Sequence, residues 1–164
     1  MNDVSQLLSN LQASHFGVWV ATSVWAYEII LALHAVGLAF LVGIMMVVDL
    51  RILGLAKAVP LTALRPAMRV VWGGFALQAA SGISLFVADA PRFASNYMFR
   101  GKLASVFIGM SLAVFIDRSV LRTRSSLGST ATKSPALLAK ALAALSLAAW
   151  LSAIVCGRLI AYHG

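Results

Sequence analysis

Charge is what this chain has least of. Only 11% of its 164 residues are charged, and its acidic residues number five. A water-soluble domain carries about 25% charged residues. Cysteine is nearly absent too: Cys156 stands alone, which rules out an internal disulfide and any cysteine-based metal site. The sequence has no phosphate-binding loop, no zinc-binding helix motif and no Ser-His-Asp signature. Residues 1 to 17 hold Asp3 but no lysine or arginine, so the basic start of a secretory signal is missing.

What the chain has instead is apolar length. Hydrophobic residues make up 61% of it, and the mean hydropathy is +0.92. Its solvent is therefore lipid. Four apolar runs reach the roughly 20 residues that a membrane-spanning helix needs. They cover residues 18–50, 68–88, 98–116 and 137–162. The first is long enough to tilt or project from the bilayer. In the third, Lys102 is expected to snorkel outward. Pro60, Pro66, Pro91 and Pro135 fall between the runs, where helices stop or start. Before them, Val4, Leu7, Leu8 and Leu11 recur at helical spacing, as in an amphipathic helix lying on the membrane surface. The expected fold is all-α: an integral membrane four-helix bundle with a short N-terminal amphipathic helix, in one domain.

The net charge of +8 reports topology and lipid contact, and nothing here points to nucleic acid. Arg51, Lys57, Arg65 and Arg69 follow the first run, and Arg118, Arg122, Arg124, Lys133 and Lys140 follow the third. Only Arg92, Arg100 and Lys102 follow the second. The positive-inside rule then puts the first and third loops in the cytoplasm and both termini in the periplasm. The third loop, Arg122 to Ser134, is basic and rich in serine and threonine, which predicts a mobile segment.

His34 falls inside the first run, where ionisable groups are costly and mark functional sites. It is expected to face the bundle. Tyr27 lies two turns earlier on the same face, and Gly37 one turn later is expected to open space beside the ring. Such a gap with an axial nitrogen suits haem. The plainer alternative is an interhelical hydrogen bond to Gln78 or a serine. His15 and His163 read as solvated groups near the periplasmic surface, too far from His34 for bis-histidine ligation. A haem on His34 would need another sixth ligand or none; Met45, Met46 and Met110 qualify by type.

Two buried charges remain. Glu28 and Arg158 are expected to pair between the first and fourth spans, in a polar cluster with Gln78. Arg158 and Lys102 also suit haem propionates or another anionic group. Asp49 and Arg51 are expected to cap the first span or order its loop. Gly74, Gln78 and Gly82 lie four apart, on one face of the second span. That face should pack closely against a neighbour, the alanine-rich fourth span among them.

Several stretches together resemble an uncharacterised family of small bacterial four-span inner-membrane proteins. They are Leu33-His34-Ala35-Val36-Gly37, Asp49-Leu50-Arg51-Ile52-Leu53-Gly54, Ser81-Gly82-Ile83-Ser84-Leu85-Phe86, Asn96-Tyr97-Met98-Phe99-Arg100-Gly101-Lys102 and Gly157-Arg158-Leu159-Ile160-Ala161-Tyr162. A more distant resemblance is to the HemJ-type protoporphyrinogen oxidases and the CopD membrane family. These carry a histidine in the first span, followed by glycine and a later arginine. HemJ-type proteins add a lysine at the start of the third span and bind haem b; the matching positions would be His34 and Lys102.

The leading expectation is a b-type haem protein of the inner membrane, carrying electrons between quinone and a periplasmic partner. The alternatives are a cofactor-free anchor or assembly subunit, copper handling and porphyrinogen oxidation. Membrane lipids are expected partners, and homo-oligomerisation is left open.

Overall fold

A computed structural model describes residues 3–122, 137–160 and 162. Its described elements are helical throughout. Short helices α1 (Asp3–Gln12) and α2 (His15–Thr22) precede α3 (Ala26–Leu53) and α4 (Leu61–Ala88). The short α5 (Ala90–Ser95) links α4 to α6 (Tyr97–Ile116). A π-helical turn, Asp117–Arg122, extends α6, and α7 spans Leu137–Leu159. The helices α3, α4, α6 and α7 are each long and apolar enough to cross a membrane. This is a multi-pass, all-α bundle. His163 and most of the expected third loop lie outside the described residues.

The first apolar run does not form one helix. It breaks at Ser23, whose backbone is extended and whose hydroxyl accepts from Ala26 N–H at 3.3 Å. Serine gives the orphaned amides of a new helix an acceptor, so α3 starts afresh. Its 28 residues span about 42 Å at helical rise, against about 30 Å of hydrocarbon. At its far end Gly54 adopts φ 91° and returns its N–H to Arg51 C=O at 3.2 Å. That left-handed turn suits glycine and stops the helix. Arg51 Nε donates to Val59 C=O at 2.6 Å, which ties down the following loop.

Pro66 does not punctuate the loop as expected; it lies inside α4, which begins at Leu61. Proline there deletes a single backbone bond, to Thr62, close to the helix start where the loss is cheapest. Pro60 is the residue that precedes the helix.

Close packing comes from glycine at two crossings. Gly37 of α3 meets the α4 backbone: a Cβ there would lie 2.9 Å from Gln78 N and 3.1 Å from Gly74 O. The small-residue face of α4 therefore meets α3, not the alanine-rich α7. At the second crossing Gly109 of α6 seats the fully buried Trp150 ring of α7. Lipid supplies no hydrophobic drive between helices, so such backbone-close contacts carry the association.

The spanning helices stand in the order α4–α3–α7–α6. The fourth side, between α4 and α6, is closed only at its ends. At one end α5 bridges the two, and Phe86 stacks on Phe99 at 5.5 Å. At the other, the π-helical turn leans on α4. Between them runs a seam. The apolar core, including Leu41, Met45, Val48, Ile52, Val71, Ile116 and Trp150, fills the half nearer the π-turn. Helix α1 lies against α5, with Val4 and Leu7 exposed, as a surface-lying amphipathic helix would present them.

Candidate functional site

His34 sits eight residues into α3 and is half-buried. Its ring reaches across to α4, where both nitrogens find partners. Ser81 donates its hydroxyl to Leu77 C=O at 2.6 Å, leaving its oxygen free to accept. His34 Nδ1 stands 3.0 Å from that oxygen and so carries the proton. The lone pair is then on Nε2, which accepts from Gln78 Nε2 at 2.9 Å and from Lys102 Nζ at 3.2 Å. One imidazole thus joins α3, α4 and α6. Gly82 makes room for the ring, since a Cβ there would meet His34 Cε1 at 3.1 Å.

Lys102 does not snorkel outward. Its stem runs along Gly157 of α7, where a Cβ would lie 3.6 Å from Cδ and Cε, and its head turns in to His34. A glycine track and a waiting lone pair make the inward path available. Nothing in the local sequence marks Gly157 for this role except the neighbouring Arg158.

This cluster heads a cleft of about 1320 Å³ that fills the α4–α6 seam and exceeds the range of about 300–1,000 Å³ usual for ligand pockets. Its walls are mainly apolar and aromatic, with Phe75, Phe86, Phe93, Phe99 and Phe107 among them. Tyr27 and Arg158 also line it.

The expected Glu28–Arg158 pair is not formed among the described residues. Both side chains are exposed, and Arg158 turns to Tyr162, donating to its hydroxyl at 3.1 Å with the guanidinium 5.4 Å from the ring centre. Near a helix end both charges reach the headgroup layer, so neither needs the other. Of the expected polar cluster, only Gln78 lies at the core of the bundle. Gly37 does not flank the imidazole; it belongs to the α3–α4 crossing, and Gly82 takes the place beside the ring. His15 is exposed.

Asp49 caps nothing. It is fully buried one turn before the end of α3, facing the Ser146 hydroxyl of α7. Among the described residues, neither its oxygens nor Ser146 Oγ completes a well-formed hydrogen bond, and Trp150 Nε1, one turn along α7, likewise has no partner. The signal for burial was there: Asp49 continues the apolar stripe of Leu41, Met45, Val48 and Ile52. Met45 and Met110 both belong to that core, and Met110 also lines the cleft.

Comparison of the chain with protein-family models, with curated proteins and with solved structures finds no match in any of the three.

Proposed function

We propose that this chain is a b-type haem protein of the bacterial inner membrane, with both termini periplasmic, that passes electrons between quinone and a periplasmic partner. The observation that carries this reading is the state of His34. Its Nδ1–H is fixed by an oxygen, and its Nε2 lone pair faces Gln78 and Lys102, which line a large aromatic cleft together with His34. Metal-ligating histidines are held in this way, with the second nitrogen donating to an oxygen that sets tautomer and ring angle. The donor set therefore fits an axial nitrogen. His34 would hold the iron, with Gln78 and Lys102 giving up their bonds to Nε2. Lys102 and Arg158, both on the cleft wall, suit the propionates. Haem would supply one-electron redox chemistry. The chain's own part is to fix the imidazole, exclude water with its phenylalanines and supply cationic partners.

The test is the absorption spectrum of protein purified after expression with ample haem. A Soret band is expected, and His34→Ala should abolish it. Absence of the band in the unaltered chain would sink the reading. A band that survives in His34→Ala would reject only the ligand.

The second reading is a cofactor-free anchor or assembly subunit. It is favoured by the same ring, whose two nitrogens already have three partners and so act as a lock between α3, α4 and α6. It predicts a stable protein partner in gentle detergent and a colourless preparation.

A further inference from the structure

A second cavity, of about 500 Å³, opens at the π-turn end of the same seam. Arg65, Met68, Arg69 and Trp72 of α4 line it, with Asp117 opposite. Arg65, Arg69 and Trp72 follow one another at helical turns, so they form a single stripe. Both arginines are exposed, and neither has an ion-pair or hydrogen-bond partner among the described residues. Asp117 is buried, has a partner of its own and forms the opposite wall.

Two guanidiniums one turn apart present forked donors to the oxygens of a phosphate. Trp72 then leads inward: its ring meets Phe75 edge-on at 6.2 Å, and Phe75 lines the large cleft with Met110 and Val114. From Arg69 to Phe75 is about 9 Å at helical rise. The cationic pocket and the apolar cleft thus follow one another along α4, with the Trp72–Phe75 ring pair between them. Basic pockets between spanning helices are known sites for anionic headgroups.

We propose that this pocket binds an anionic phospholipid, with its phosphate on Arg65 and Arg69 and an acyl chain laid in the α4–α6 seam. The proposal does not rest on the haem reading: the phosphate site on Arg65 and Arg69 shares no lining residue with the His34 cluster, although the acyl chain would enter the cleft that His34 heads.

The test measures phospholipid retained by the detergent-purified protein, and then its thermal melting with added phosphatidylglycerol, phosphatidylcholine or inorganic phosphate. Phosphatidylglycerol should be retained and should raise the melting temperature, while the other two should not. Each arginine changed to glutamine should weaken phosphatidylglycerol binding roughly fivefold. Lys57→Gln, which removes a charge outside the pocket, should leave it unchanged. Circular dichroism checks that the variants stay helical. Should Arg65→Gln/Arg69→Gln not fold, the single variants carry the test. The proposal is overturned if phosphatidylcholine serves as well, if inorganic phosphate gives the same shift (a free anion site without lipid), or if the arginine variants bind as tightly as Lys57→Gln.

Discussion

The Ser81 oxygen and the Gly82 hydrogen govern His34 by different routes. Ser81 sets which nitrogen carries the proton, and Gly82 sets where the ring lies. If the proposed haem sits on His34, Ser81→Ala should keep the Soret band but move the reduction potential, read by redox titration, because the ligand would lose its orienting partner. Asp49 offers a contrasting test. A carboxyl buried without a well-formed bond is expensive, and an amide of the same shape adds a donor for the Ser146 oxygen. Asp49→Asn should hold or raise stability by about 1 kcal/mol in detergent melting. A clear loss would show that the carboxyl has a partner. His34 and its pairing with Gln78 or a serine were legible in the sequence, because depth in lipid demands a partner. The inward turn of Lys102 was not, since it depends on a glycine 55 positions away in another helix.

Helices α3 and α4 meet through glycines whose neighbours are backbone, which cannot swing aside. Gly37→Ala would drive a Cβ to 2.9 Å from Gln78 N, so the helices must part. The expected cost is about 1–3 kcal/mol in thermal unfolding. Gly43→Ala, on the same helix with nothing within 4 Å, should be silent or mildly stabilising. Equal effects from the two would refute the crossing. At this scale the sequence announced the four spans, placed the starts of the last two and misplaced those of the first two. Ser23 interrupts an apolar run that hydropathy reads as continuous, and Pro66 sits where a helix start tolerates it. Capping chemistry decided both boundaries, and it is local, polar and easily masked by apolar neighbours.

The order α4–α3–α7–α6, with one side unclosed, was not legible at all. Alanine and glycine recur in several spans, and a small-residue face does not name its partner. The open side makes one prediction for the whole molecule. Ala79, half-buried on the cleft wall, can be filled from within. If the proposed haem occupies the cleft, Ala79→Trp should abolish the Soret band while the melting temperature stays near that of the unaltered chain. A full Soret band in that variant would place the cofactor somewhere else.

Helices α4 and α6 are tethered at both extremities and parted in the middle, like the slot of a letterbox. In a bundle that spans a bilayer, a gap of that kind faces the acyl chains, so a lateral path from the lipid reaches the cleft without unfolding either tether.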